Sequence, residues 1–326
     1  MLVIRPSHSD RWILTTAIGG SYYDRWNRDF RPSWVRYAER YDLGIVVVTA
    51  DIFGPTEPRR HGAWQKLLGP RALREFLGRD VRCLLLDSDV IISPGAPNVF
   101  DRCPPHSLGV VSQEYGVPLG GAQPLRRQMA FLRKSFMDDN FPLRSSLIAT
   151  PAKVAELGGF PPLSNYFCSG VVMTNTSRHA NLFSRWYSEA PCTSDYRSID
   201  WGEELWMNVK VANIDDVVWM GYEWQALWAF EVAANYPFLY AAPKNEELSS
   251  WILAAVLLNN HFLHLAGSWE STLFHSSSPT LPSIEDFESF TLALTKWKTS
   301  TTAATDFGVV TPPQASHDPQ EKSTGN

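Results

Sequence analysis

The sequence predicts an α/β protein built on a mostly parallel central sheet with helices on both faces. Short apolar, β-branched runs alternate with amphipathic stretches through the first half of the chain. The apolar runs are continuous, which is typical of parallel strands that are covered on both faces. Ligands of such sheets bind at the carboxyl ends of the strands, so functional residues are expected there.

The individual elements follow from local patterns along the chain. Apolar runs predict strands over residues 11–17, 44–50, 81–87, 108–112 and 170–174, with late strands over 236–240 and 262–265. Amphipathic spacing predicts helices over residues 33–41, 63–77, 125–137, 177–188 and 200–211.

Capping residues mark two further helices. Thr150 and Pro151 fit the cap and the first position of a short helix that Gly158 ends. Ser283 caps a last helix, which reaches residue 297. We interpret residues 1–298 as one domain. Residues 299–326 are rich in Thr, Ser, Pro, Gln and Gly, so a disordered tail is predicted there.

Composition and charge argue against several classes of protein. The formal net charge of -5 disfavours a nucleic-acid binder held by phosphate contacts. The longest apolar run, over residues 251–258, is too short to span a bilayer. The first residues lack the hydrophobic region of a signal peptide, so we expect a cytoplasmic protein, with peripheral membrane association left open. The 4 cysteines fit neither a zinc pattern nor a disulfide framework.

A pair of carboxylates follows the third predicted strand directly. Three consecutive leucines lead into Asp87-Ser88-Asp89. Side chains two positions apart on an extended chain point to the same side, so Asp87 and Asp89 are predicted to share one cation. Carboxylate and water ligands suit Mg²⁺ or Mn²⁺, which bind substrate phosphates. A helix cap or a turn without a ligand is the alternative.

Two classes of enzyme carry such a pair at the end of an apolar strand. Phosphatases of the haloacid dehalogenase type use the first aspartate as nucleophile, and glycosyltransferases of the GT-A fold use the pair to hold a metal and a diphosphate. The phosphatase pattern has Thr or Val two residues beyond the second aspartate, where this chain has Ile91. Its motif also lies on the first strand, whereas two predicted strands precede this one. The glycosyltransferase interpretation is favoured.

Six segments, in family order, resemble glycosyltransferase family eight and its relatives. They lie between about residues 11 and 269 and read WQKL (64–67), CLLLDSDV (83–90), NVFD (98–101), YFCSGVVMTN (166–175), EELWMN (203–208) and HFLHLAG (261–267). The resemblance implies a GT-A fold and transfer of a hexosyl or pentosyl group from a nucleotide sugar, with a UDP-sugar as the expected donor. The acceptor would be a glycan, a protein or a small molecule.

The resemblance also implies roles for particular residues. Residues 1–112 would bind the nucleotide, and residues 164–270 the sugar and the acceptor. Mn²⁺ or Mg²⁺ would be held by Asp87, Asp89 and His264. The residues expected to contact the donor, in part from their position at strand ends, are Thr16, Tyr22, Lys66, Asp87, Ser88, Asp89, Ser169, Gly170 and Gly267. The residues expected near the anomeric centre or the acceptor hydroxyl are Glu203, Glu204 and Asp200, although Asp200 also fits a helix cap.

Three positions depart from the family pattern. Cys168 replaces an Asn, Glu270 replaces a Lys, and the pair Glu203-Glu204 replaces Asp-Gln. The donor sugar and the stereochemical outcome therefore do not carry over. A catalytically silent nucleotide- or glycan-binding relative stays as an alternative beside the phosphatase.

The tryptophans have two interpretations. Trp219, Trp224 and Trp228 are predicted to form an acceptor platform or to pack in the core, with Trp224 and Trp228 on one helix face. His264, Glu203 and Glu204 likewise have structural alternatives, as a core histidine and as solvated helix residues.

Overall fold

The strands and helices are described from a computed structural model over residues 1–52, 62–136, 147–190, 202–240 and 246–266. Within these residues the strands are β1 (Leu2–Arg5), β2 (Arg11–Thr16), β3 (Gly44–Val48), β4 (Arg82–Leu86), β5 (Val90–Ile92), β6 (Leu108–Ser112), β7 (Phe167–Asn175), β8 (Val217–Met220), β9 (Ala226–Leu227) and β10 (Phe262–His264). The α-helices are α1 (Gly20–Arg25), α2 (Arg31–Tyr41), α3 (Gly69–Leu77), α4 (Ala122–Phe136), α5 (Pro151–Leu157), α6 (Thr176–Glu189), α7 (Gly202–Val211), α8 (Trp228–Asn235) and α9 (Glu246–Asn259).

Seven strands form the central sheet, in the order β1-β3-β2-β4-β7-β6-β8. β2, β3, β4, β6 and β8 run in one direction, and β1 and β7 run in the other. The predicted α/β class with a mostly parallel central sheet is thereby confirmed. The carboxyl ends of the five parallel strands meet at one edge, and that edge carries the candidate site.

Helices cover both faces of this sheet because the strand side chains on each face are apolar. Leu84 and Leu86 of β4 pack in one buried cluster with residues of α2, α4, α8 and α9. Cys83 and Leu85 pack on the opposite face, with residues of α3, α6 and α7. None of the helices in the described ranges has both the length and the apolar character needed to cross a membrane.

A second, three-stranded sheet lies beside the first, in the order β5-β10-β9. β5 follows the Asp-x-Asp pair directly and pairs antiparallel with β10, so that His264 lies opposite Val90. β9 pairs parallel with β10 and places Leu227 opposite His264. This small sheet links the residues after β4 to the late histidine across more than 170 positions of sequence.

The pairing of β7 is irregular where it passes the site. Val110 of β6 lies opposite Val172, but Ser112 lies opposite Phe167. Four residues of β7 therefore face a single residue of β6. Such bulges bend a strand and redirect its side chains, and they are frequent beside functional sites.

Several sequence predictions need correction. The helix predicted over 63–77 is a 3-10 helix (Gly62–Leu67) followed by α3. The strand predicted over 236–240 is a 3-10 helix (Pro237–Tyr240), because proline lacks the N–H of a ladder and suits a first helical turn. The helix predicted from Ser283 and the tail over 299–326 lie outside the described residues.

The predicted placement of Trp224 and Trp228 on one helix face is also wrong. Trp224 ends a 3-10 helix and Trp228 begins α8, with Gln225 and the short strand β9 between them. Both indoles are buried, at 2% and 1% exposure, so they pack in the core and do not present a platform. Trp219, on β8, is 40% exposed.

Candidate functional site

Two aspartates and a histidine converge at the carboxyl edge of the sheet. Ligand atoms of Asp87, Asp89 and His264 all lie within 4.8 Å of one another. The Nε2 atom of His264 is 3.0 Å from Oδ1 of Asp89 and 3.8 Å from Oδ2 of Asp87. Two carboxylates and one imidazole form a donor set that suits Mn²⁺ or Mg²⁺ with substrate oxygens and waters as further ligands.

The pair is brought together by a turn, and not by the strand alternation that the sequence predicted. β4 ends at Leu86, and the Val90 amide donates to the Asp87 carbonyl at 3.2 Å. The Asp87 amide donates to the Gly170 carbonyl at 2.9 Å, and the Leu265 amide donates to the Asp89 carbonyl at 3.1 Å. Backbone hydrogen bonds from both sheets thus fix the two aspartates.

Lys66 lies buried against this cluster. Its ammonium is 2.6 Å from Oδ1 of Asp87 and 3.8 Å from Oε1 of Glu203. It also donates to the hydroxyl and the carbonyl of Ser169, at 2.9 and 3.2 Å. Burial alone would lower the pKa of Lys66, but Asp87 and Glu203 outweigh burial and raise that pKa above its ordinary value. Lys66 is therefore a buried cation that orients Asp87.

The charges on His264 and Asp89 support each other. Burial would lower the pKa of His264, but the adjacent Asp89 raises it above the ordinary value. Burial would raise the pKa of Asp89, but His264 lowers it. The contact between Nε2 of His264 and Oδ1 of Asp89 thus shifts the pKa of both groups.

Glu203 and Glu204 begin α7 but point into different surroundings. Glu203 faces Lys66 and its side chain is 14% exposed. Glu204 is 4% exposed, and its Oε2 accepts a hydrogen bond from the Ser169 amide at 3.2 Å. Burial raises the pKa of Glu204, and the charge of Glu203 raises it further. Glu204 is thus buried against the backbone of β7, while Glu203 lies beside a cation.

The irregular part of β7 supplies the residues between these groups. The polar atoms of Ser169 bind Lys66 and Glu204, so this residue joins the two sides of the site. Gly170 leaves room for the imidazole, because a Cβ at this position would lie 2.2 Å from Cε1 of His264. Both residues, which the sequence predicts to contact a donor, lie within the site.

Other predicted residues lie at or near the same edge. Ser88 is in the turn between the two aspartates and is partly buried. Thr16 ends β2 and is also partly buried, and Tyr22 is 44% exposed on α1. Asp200 and Gly267, together with Glu270, lie outside the described residues.

Two residues of the site were not singled out from the sequence. Gln225 is 2% exposed and places its Nε2 atom 3.0 Å from Nδ1 of His264. Asn208 on α7 donates to the Phe167 carbonyl at 2.8 Å and accepts from the Phe167 amide at 2.9 Å, which ties α7 to β7. Gln225 carries one signal, since it is the lone polar residue in the run WQALWAF.

The chain is similar to known proteins in structure but not in sequence. No protein-family model matches the chain, and no curated protein matches it. A glycosyltransferase involved in glycosylation of the major capsid of PBCV-1 is similar in structure, with a TM-score of 0.42 and 13% identity over 86% of this chain and 99% of that chain. The glycosyltransferase GlyE of Streptococcus pneumoniae TIGR4 has a TM-score of 0.43 and 11% identity, over 89% of this chain and 64% of that chain.

A third similar structure is the galactosyltransferase LgtC in complex with donor and acceptor sugar analogs. Its TM-score is 0.37, with 12% identity over 88% of this chain and 99% of that chain. All three are glycosyltransferases, and all three TM-scores are below 0.5.

Proposed function

We propose that this chain is a metal-dependent GT-A glycosyltransferase that transfers a hexosyl or pentosyl group from a nucleotide sugar, with a UDP-sugar as the expected donor. A glycan, a protein or a small molecule would be the acceptor. The observation that carries the proposal is the cluster of Asp87, Asp89 and His264, whose ligand atoms lie within 4.8 Å at the carboxyl edge of the sheet. Its donor set fits the metals that bind diphosphates.

Mn²⁺ or Mg²⁺ would be held by Asp87, Asp89 and His264. When bound, the metal supplies positive charge that neutralises the diphosphate leaving group. The protein contributes the orientation of its ligands: Lys66 binds Oδ1 of Asp87, and Oδ2 of the same carboxylate faces His264. The ammonium acts through Asp87, since three acceptor atoms already lie within 3.2 Å of it.

Glu203 is the carboxylate that we assign to the reacting sugar. It lies 3.8 Å from the buried Lys66 ammonium, and its side chain is partly exposed at the site. A carboxylate beside the anomeric carbon stabilises the positive charge that develops as the C–O bond breaks. Glu204 is buried and bonded to the backbone of β7, so we assign it a structural role.

A thermal-shift panel tests the donor site. Each nucleoside diphosphate is added with Mn²⁺ and, separately, with chelator. Binding to the native state alone raises its stability by about 2.7 kcal/mol at a hundred times Kd. We expect UDP to raise the melting temperature with Mn²⁺, and the shift to vanish with chelator and in Asp89→Ala. Asp215→Ala is the matched control, because Asp215 is exposed and precedes β8 at the opposite edge of the sheet.

Turnover then separates the remaining alternatives. For a nucleotide that binds, we expect Glu203→Gln to lower kcat for donor turnover by about 10²-fold or more with little change in the thermal shift. Binding by the native protein without turnover of any donor would favour the silent relative. No shift with any nucleotide would contradict the proposal, and release of phosphate that Asp87→Asn abolishes would favour the phosphatase.

A further inference from the structure

The imidazole of His264 has neighbours on both of its nitrogen atoms. Nε2 faces the two aspartates, and Nδ1 faces the interior. The partners of Nδ1 are Nε2 of Gln225 at 3.0 Å and Sγ of Cys168 at 3.5 Å. A nitrogen–nitrogen contact of 3.0 Å is a full hydrogen bond, whereas a thiol is a weak partner. Gln225 is therefore the principal partner of Nδ1.

Packing leaves this contact little freedom. Gln225 and His264 are both 2% exposed, and a Cβ on Gly170 would lie 2.5 Å from Nδ1 and 2.8 Å from Nε2 of Gln225. β9, which begins at Ala226, pairs with β10 beside His264. Gln225, which directly precedes β9, and His264 on β10 thus lie side by side against Gly170.

Only one of the two polar atoms of the Gln225 side-chain amide has a hydrogen-bond partner among the described residues. Its Nε2 donates to Nδ1, while its buried Oε1 has no hydrogen-bond partner among the described residues. Nδ1 as acceptor leaves the proton on Nε2, where it meets Oδ1 of Asp89 at 3.0 Å. That arrangement suits a site without a metal, because the nitrogen that faces the aspartates carries the proton.

We propose that Gln225 is the positioning residue that orients His264 as a metal ligand, and that its amide turns over when the metal binds. A rotation by half a turn about the last side-chain bond would bring Oε1 to Nδ1. Oε1 would then accept a hydrogen bond from the Nδ1–H group, which would leave the lone pair of the imidazole Nε2 available to hold the cation. Histidine ligands of metals are usually held in this way by an acceptor on the second nitrogen. The inference rests on the proposed metal site.

Two substitutions of Gln225 distinguish the effect of its acceptor oxygen from the effect of its side-chain volume. Gln225→Glu keeps an acceptor oxygen, and Gln225→Leu keeps a similar volume without one. Loss of such an outer partner weakens metal binding by about 10–100-fold. We expect the Kd for Mn²⁺ alone, measured by electron paramagnetic resonance of the free ion, to rise by about this factor in Gln225→Leu and to stay near the native value in Gln225→Glu.

A matched control uses a second buried glutamine. Gln113 is 3% exposed, and neither the oxygen nor the nitrogen of its side-chain amide has a hydrogen-bond partner among the described residues. Gln113→Leu therefore makes the same chemical change without touching His264, and its Kd for Mn²⁺ should equal that of the native protein. Circular dichroism of each variant shows that it is folded before its Kd is compared.

The outcomes distinguish this inference from the proposed function. Native binding of Mn²⁺ with an unchanged Kd in Gln225→Leu would overturn the positioning role and leave the metal site intact. Absence of Mn²⁺ binding by the native protein would overturn both. If Gln225→Leu does not fold, nitrogen NMR of labelled histidines in the native protein with Zn²⁺ decides the matter. We expect the proton on Nδ1 of His264, and a proton on Nε2 would overturn the inference.

Discussion

At Gly170 a missing side chain determines whether the histidine can reach the aspartates. An added Cβ would lie 2.2 Å from Cε1 of His264, and real Cβ atoms do not approach other atoms so closely. The imidazole would have to move, because β7 is held by β4 and cannot retreat. The glycine is thus required by close approach of a side chain, with no need for an unusual backbone angle.

The first prediction concerns Gly170→Ala. We expect the free energy of unfolding to fall by about 1–3 kcal/mol from overpacking, and the Mn²⁺-dependent thermal shift with nucleotide to be lost. Urea denaturation and the thermal-shift panel measure the two effects. Gly95→Ala is the control, because the nearest atom to its added Cβ is 4.0 Å away. Equal behaviour of the two variants would contradict the packing argument.

Glu204 makes stability depend on pH in a defined direction. Burial and Glu203 raise its pKa in the folded chain above the ordinary value of 4.5, so the folded state holds the proton more tightly than the unfolded state. The stability that this proton contributes is fully present below pH 4.5, and it is lost as the pH rises through the raised pKa of the folded state.

The second prediction follows from that sign. Glu204→Gln keeps an acceptor for the Ser169 amide but does not titrate, so its free energy of unfolding should rise relative to the native protein between about pH 4.5 and 7.5. Urea denaturation at both pH values, with chelator present, measures the difference. A constant difference for Glu204→Gln would mean that the carboxyl is ionised when buried.

At the scale of elements, the short strand β5 depends on α2. The indole Nε1 of Trp34 donates to the Val90 carbonyl at 2.7 Å, and the Ser33 hydroxyl accepts from the Ile92 amide at 3.2 Å. β5 has only three residues and begins directly after Asp89. The position of Asp89 therefore depends on a hydrogen bond made by a helix more than fifty residues earlier.

The third prediction compares the substitution of tryptophan by phenylalanine at two buried positions that differ in hydrogen bonding. Trp34 and Trp26 are both 0% exposed, but Nε1 of Trp26 has no hydrogen-bond partner among the described residues. Trp34→Phe should lower the free energy of unfolding by about 1–3 kcal/mol more than Trp26→Phe, since it leaves a buried carbonyl unpaired. Urea denaturation measures both. Equal losses would show that the Val90 carbonyl finds another partner.

Strands with a local sequence pattern could be predicted, whereas strands that depend on pairing with distant residues could not. Continuous apolar runs predicted β2, β3, β4, β6 and most of β7, because a strand that is buried on both faces has apolar residues at consecutive positions. β5 and β9 have three and two residues, too few to show any period, and they exist because β10 pairs with them. Pairing across the chain leaves no local pattern.

The same distinction applies to the site. The carboxylates of Asp87 and Asp89 were found from the apolar strand before them, and His264 and Lys66 from a family pattern. The sequence could not distinguish Glu203 from Glu204, because the two residues are identical and adjacent. Their surroundings differ in the structure, since Glu204 contacts the Ser169 amide and Glu203 faces Lys66. Gln225 was missed because its position in an apolar run indicates that it is buried but does not indicate which residue its side chain contacts.

At the scale of the whole molecule, the two functional halves that the sequence suggested are interleaved in one sheet. β6, from residues 1–112, pairs only with β7 and β8 in the described sheet, and both of these strands come later in the chain. β7 in turn separates β4 from β6. Residues that we assign to nucleotide and to sugar are therefore held by shared strands, and the Lys66–Ser169 hydrogen bonds cross the same boundary.

The fourth prediction is that residues 1–112 do not fold by themselves. Without β7, β4 would be an open edge of buried apolar residues and β6 would have no partner, while α3 would lose α6, against which it packs. We expect a narrow range of amide shifts in the ¹H–¹⁵N spectrum of this fragment and rapid proteolysis, in contrast to the full chain. A dispersed spectrum with nucleotide binding would instead make the first half an independent unit, and the shared strands would then not be needed for its fold.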